Sequence, residues 1–301
     1  MYKQVLVSPR LAVKTIATKM MCKLHLNAEF RSDPTRTKTL RRQFERDMNK
    51  RWDAIIRELQ AFMESEGNLT ANRDYEFTTG PLSTVAILDF LTAAIDEQLI
   101  DADEAERIIR EKGVKPDPNN WIEGYVYTAY KKGVKRAETE YNKRVNDERK
   151  KDLMLGAIKR RNHQDKLEQV LGRTYTDLKK IDSAMEAGIR REIALGLEAG
   201  EGTEKIAKRI RDRVEKIGKT RSRTLARTEV IRAHHAANVA TYREAGVGSA
   251  EIQAEFSTAG DARVCKKCEG LEGTVYSLNR IENLIPVHPN CRCIAIPIIE
   301  L

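Results

Sequence analysis

Four of the five cysteines fall between positions 265 and 293 of a 301-residue chain, and the pattern of the sequence changes with them. Up to Gly248 apolar residues recur at helical intervals. Beyond it, residues 250–256, 274–277 and 293–299 alternate or cluster as short strands, with Pro297 confining the last to a sheet edge or to its own end. A strand-and-loop unit of about fifty residues buries little apolar area, so it calls for a covalent or metal cross-link.

The residues for such a cross-link lie in two groups. Cys265-Lys-Lys-Cys268 presents two sulfur ligands from one turn, and His288-Pro-Asn-Cys291-Arg-Cys293 supplies three further donors. A tetrahedral site needs four. The preferred set is Cys265, Cys268, His288 and Cys291; the rival replaces His288 by Cys293. Because a cytoplasmic thiol stays reduced, a structural zinc is favoured over disulfides or free thiols. With four thiolate or imidazole ligands, no position would remain open for a catalytic water.

The rest of the chain reads as helix. Leu40, Phe44, Met48, Trp52, Ile55, Leu59 and Phe62 form one stripe along a helix spanning about 37–64, with Asp33-Pro34 before it and residues 66–68 as its exit. A second helix starts near residues 80–83 and runs to about 100. Asp101 caps a short acidic helix ending near 113, residues 115–120 make a break, and a further helix spans about 121–151. Ile181, Met185, Ile189, Ile193 and Leu197 mark the next. A helix from Thr203 is expected to stop at Gly218, and another covers about 220–245 with the small stripe Ala226, Val230, Ala233, Ala237 and Ala240. The expected fold class is therefore mainly α: a helical body followed by a small α+β C-terminal module stapled by a Cys/His zinc knuckle. Its division is placed at residue 151, giving 1–151 and 152–301.

Charge is segregated along these helices. The chain carries a formal net charge of +9. Residues 85–111 hold eight acidic and two basic side chains, whereas 131–161 hold twelve basic and five acidic and 201–232 eleven basic and five acidic. Such polarity suits a subunit that docks onto other molecules, and the basic stretches suit phosphates bound without sequence readout. Few aromatics are interleaved, which disfavours a single-strand stacking platform. The N-terminal apolar patches are broken by Lys3, Arg10, Lys14 and Lys19, so neither a signal peptide nor a membrane span is expected.

Other chemistry is sparse. Asp261 and Arg263 precede the knuckle and are expected to cap a turn and pair with a neighbouring helix. Glu229 and Arg232, near Arg227, are spaced to pair along a helix. Of His234 and His235, one is expected half-buried and the other exposed. No phosphate loop, dinucleotide loop, nucleophile elbow or metalloprotease helix occurs. A Cys/His-stabilised HNH-like nuclease is an alternative, although no second histidine constellation lies near the cysteines; a non-enzymatic DNA-binding zinc module is another.

Taken in order, Ala226-Arg227-Thr228-Glu229, Tyr242-Arg-Glu-Ala-Gly246-Val247, Asp261-x-Arg263-x-Cys265-x2-Cys268-x2-Leu271-x-Gly273 and His288-Pro-Asn-Cys291-Arg-Cys293 resemble the phage Mu F protein type of minor head protein. The likeness covers roughly residues 180–298. It implies a head morphogenesis protein of a tailed virus, not an enzyme, located in the virion head near the portal. The implied partners are the portal protein, the major capsid or scaffold protein and, as an option, packaged double-stranded DNA, with no membrane and no small-molecule substrate.

Overall fold

In the computed structural model the described residues are 33–65, 84–110, 117, 120–146, 148, 152–153, 155–246 and 252–299. The readings at 66–68, 80–83, 113 and most of the 115–120 break lie outside them. Helix α1 (Lys38–Ser65) buries the expected stripe from Leu40 to Leu59, and Met63 is its last buried position. Phe62 lies beside that position and stacks on Phe90 at 4.5 Å. Asp33 starts α1 by accepting the Lys38 N–H at 2.6 Å, which satisfies one of the helix's open amide donors. Helix α2 (Thr84–Ile95) runs on as one π turn at Asp96–Ile100 before α3 (Ala102–Arg110).

Helix α4 (Trp121–Asn142) is capped by the Asn120 side chain, which accepts from Ile122 N at 3.0 Å. It ends earlier than its basic continuation suggests, because the chain turns there and carries Val145 and Leu153 into the C-terminal core. Helix α5 (Arg161–Glu198) follows a single 3₁₀ turn and buries the expected stripe from Ile181 to Ile193, whereas Leu197, its last expected member, is exposed at the helix end.

Helix α6 (Thr203–Gly246) is the axis of the fold, with α1, α4 and α5 all packed along it. It does not stop at Gly218. Glycine costs about 1 kcal/mol in a helix interior, but here the missing side chain makes room for an indole: a Cβ at Gly218 would stand 2.7 Å from the Trp52 ring. The stripe Ala226, Val230, Ala233, Ala237 and Ala240 is wholly buried. Against it α4 approaches so closely that a Cβ on Gly133 would lie 2.3 Å from the His234 carbonyl oxygen. The Asn238 amide, oriented to satisfy its neighbours, donates to the Gly133 and His234 carbonyls at 2.7 and 3.1 Å.

The C-terminal module is a three-stranded antiparallel sheet of order β2-β1-β3, formed by β1 (Gln253–Ser257), β2 (Val275–Ser277) and β3 (Ile294–Ile298), with short helices α7 (Lys266–Glu269) and α8 (Leu278–Glu282). Pro297 faces Ala254 on the edge strand β3, where its missing N–H costs no ladder bond outward. Ala254, Phe256, Ile281 and Ala295 form a core with Ile231, Val239 and Tyr242 of α6. The larger core takes residues from Leu40 to Ala237. Helix α6 therefore belongs to both. The fold is mainly α with a small C-terminal strand-and-helix module that holds the Cys/His cluster. None of the described helices is long and apolar enough to cross a membrane.

Candidate metal centre

The knuckle is built by the first turn of α7. Cys265 is its N-cap, and its sulfur accepts the Cys268 N–H at 3.4 Å, so the two thiols emerge from the same side of one short turn. The loop is closed by Gly273 at φ 74°, a conformation that favours glycine, with its N–H on the Phe256 carbonyl at 2.9 Å.

The second group arrives on the loop before β3. The Nδ1 of His288 lies 2.7 Å from the Pro289 carbonyl oxygen. A carbonyl can only accept, so Nδ1 carries the proton and Nε2 offers its lone pair. That Nε2 is 3.2 Å from the sulfurs of both Cys265 and Cys268. A second group, Cys268, Cys291 and Cys293, shares Cys268 with the first, and the donor atoms within each group lie within 4.8 Å of one another. All five candidate ligands thus converge, and the four thiols are free. Cys265 is exposed, His288 half-buried and the other three buried.

The charges within the cluster are uneven. Hydrogen bonding from the Cys293 thiol brings Cys291 down to about 5, while the thiolate it faces pushes Cys293 far up. Burial raises Cys268 to about 12. Cys265 is lowered by the Cys268 backbone N–H. His288 loses basicity to burial but gains more from the Pro289 carbonyl and the thiols, and is raised on balance. Soft sulfurs held together with a pre-oriented imidazole make a donor set suited to a thiophilic cation, which removes the protons that burial otherwise retains.

Asp261 holds the two ligand groups in register. It accepts both Arg292 Nη atoms, at 2.6 and 2.7 Å, together with Arg263 Nη2 at 2.8 Å and the Arg263 N–H at 3.1 Å. The Arg292 bonds above all hold its carboxyl well below the usual range. Its partner is thus not a neighbouring helix, as expected, but the arginine between Cys291 and Cys293. A bidentate clamp between the residues before the first ligand pair and the middle of the second was hidden in the sequence, where Arg292 stands within the motif but nothing marks Asp261 as its partner.

Glu229 is nearly fully buried on α6, where it accepts from Thr174 Oγ1 at 2.9 Å and from Arg232 as its spacing suggested, and burial raises its pKa. Thr228 Oγ1 accepts the Asn290 N–H at 3.2 Å and so ties α6 to the turn between His288 and Cys291. Arg227, half-buried on the same helix turn, has no hydrogen bond or ion pair of its own among the described residues.

His234 and His235 are both buried, at 1 and 2% exposed, in place of the expected half-buried and exposed pair. The two sides of α6 on which they sit are covered, one by α4 and the other by the C-terminal module. Desolvation lowers them to about 3 and about 4, and His235 Nε2 donates to the Ile281 carbonyl at 2.9 Å. His163 is buried elsewhere, between Tyr130 (2.9 Å) and Glu244 (3.3 Å). None of these three histidines joins the cysteine cluster.

Compared with known proteins, residues 187–296 match the family described as phage Mu protein F like protein. The match runs from the last third of α5 through α6 and the cysteine cluster into β3. No curated protein and no solved structure matches the chain.

Proposed function

We propose, from the match of residues 187–296 to the phage Mu protein F like family, that the protein is a minor head protein of a tailed virus, associated with the portal and the procapsid interior. The family match supports a part in phage head morphogenesis, and with it a place among phage structural proteins in the virion and a non-enzymatic role. In this reading residues 1–151 dock to the portal and to capsid or scaffold protein, and 152–301 carry the Mu F-like region, with its basic surfaces able to meet packaged DNA. The observation that carries it is that the matched segment takes in all of α6 and the whole cysteine cluster, from the last third of α5 into β3. Mass spectrometry of purified particles tests it: the protein is expected in procapsids or mature heads, and absence from both would refute the role.

Zinc is the cation we assign to the cluster, held by Cys265, Cys268, His288 and Cys291, with Cys293 as the alternative to His288. When bound it supplies a cross-link between the knuckle and the loop before β3, in a module whose strands are three to five residues long. The overlap of the two ligand groups at Cys268 and the orientation of His288 by Pro289 support this reading. Metal analysis of reduced, purified protein is expected to give about one zinc per chain; none would remove the assignment and leave the virion role standing.

A further inference from the structure

Helices α1 and α6 run antiparallel, and their contacts follow a fixed register. Trp52 packs on Gly218, and one to two turns further Glu45 accepts from Arg223 at 3.0 Å. The next pair in that register is Arg41 and Arg227, two cations facing each other where the helices meet the C-terminal module. The Arg41 side chain is 8% exposed; its Nη2 reaches Asp33 at 2.6 Å, but its Nε, buried, has no partner. Arg227 has none at all among the described residues. Arg292 and Arg263 complete the group, both already shared by Asp261. The contact from Asn290 N to Thr228 Oγ1 draws the Arg292 loop onto this same turn of α6, and the buried Asn290 Oδ1 is likewise unpartnered.

Among the described residues, four guanidiniums thus face two carboxylates, Asp33 and Asp261. Burial, and then the repulsion of Arg227, Arg292 and Arg263 against the attraction of Asp33, leaves Arg41 with a lowered pKa. Among the described residues nothing pairs with Arg227, and like charges so placed destabilise a protein. Arginine forks match the oxygen pairs of carboxylates and phosphates, and a phosphate's charge of about −1.5 to −2 offsets the excess of two cations.

We propose that Arg41, Arg227, Arg263 and Arg292 form a phosphate-binding site at the junction of α1, α6 and the loop before β3. Its ligand is a single phosphate group, either free or part of a nucleic-acid backbone. The site stands on the arginine geometry alone and does not rest on the virion reading.

The full-length protein is titrated with inorganic phosphate, against chloride at matched ionic strength, while its thermal midpoint is followed. A ligand that binds only the folded chain raises that midpoint saturably. The expected result is a saturable rise for the unaltered protein that is absent in Arg227→Gln, whose own midpoint without phosphate is unchanged or higher because a like charge is gone. Equal effects of phosphate and chloride, or an undiminished phosphate response in Arg227→Gln, would overturn the site. Phosphorus NMR of phosphate with the unaltered protein, expected to show saturable line broadening, decides the matter should the variant fail to fold. A short DNA duplex distinguishes the source. If Arg227→Gln weakens duplex binding and reduces its salt slope by about one, the phosphate is a nucleic-acid one. If duplex binding is unchanged while phosphate protection is lost, the site takes free phosphate.

Discussion

Substituting Gly133 by alanine probes the close approach of α4 to α6. The new Cβ would stand 2.3 Å from the His234 carbonyl oxygen and 2.7 Å from the Ala237 Cβ, where ordinary contact begins at 3.4 Å. Both obstacles are backbone or the first atom of a side chain on α6, so no rotamer change relieves them, and α4 must retreat by about 1 Å. Overpacking of this kind costs about 1–3 kcal/mol. The retreat also lengthens the Asn238 bond to the Gly133 carbonyl, worth about 1 kcal/mol, while alanine returns up to about 1 kcal/mol of helix propensity. The expected net loss is about 1–3 kcal/mol, or a fall in thermal midpoint of about 2–12 °C for a chain of this size. Gly172→Ala is the internal control. Its nearest neighbour would be the Ile108 carbonyl oxygen at 3.8 Å, so propensity acts unopposed and the midpoint should rise by about 2–4 °C. Urea and thermal unfolding of both variants measure the difference. If the two substitutions shift stability alike, the close approach of α4 and α6 does not hold.

Trp52→Ala should cost about 3–5 kcal/mol in urea unfolding, because the indole fills the space left by Gly218 and is 1% exposed. Cys268→Ser should reduce bound zinc more than Cys293→Ser, since Cys268 alone belongs to both ligand groups; equal retention, measured by metal analysis, would refute that ranking. Glu123, buried beside Glu104 and Tyr175, has its pKa raised to about 7, chiefly by burial. The folded protein then holds a proton that the unfolded chain gives up near 4.5, so this contribution is full below about 4.5 and lost as pH rises to about 7. Urea midpoints between those values should fall with pH, and Glu123→Gln should flatten the slope; an unchanged slope would dismiss Glu123 as its source.

Much of this architecture was legible because periodicity survives folding. The stripe from Leu40 to Leu59 reads directly as the buried face of α1, and the three strands lie within a few residues of the alternating segments. The converging cysteines and His288 were also visible, since ligand spacing is a local property of a turn. What was not legible depends on partners distant in sequence. Gly218 reads as a stop until Trp52, far away in the chain, is seen to need its missing side chain. One of His234 and His235 reads as exposed until both sides of α6 are seen to be covered, with the Ile281 carbonyl accepting from His235. Arg292 is one more charged residue until Asp261 closes on it, and Arg227 looks like part of a solvated face until its register places it opposite Arg41.

Helix α6 spans 44 residues, about 66 Å at 1.5 Å per residue, and lends its side chains to two cores in turn. A continuous rod shared in this way has no joint in its own backbone between the bundle and the cysteine module. A load applied to the module is therefore borne by α1, α4 and α5, because the same helix is seated among them. A fragment cut at residue 187 would begin partway along α5 and strip α6 of α1 and α4, leaving the Ala226–Ala237 stripe bare to solvent.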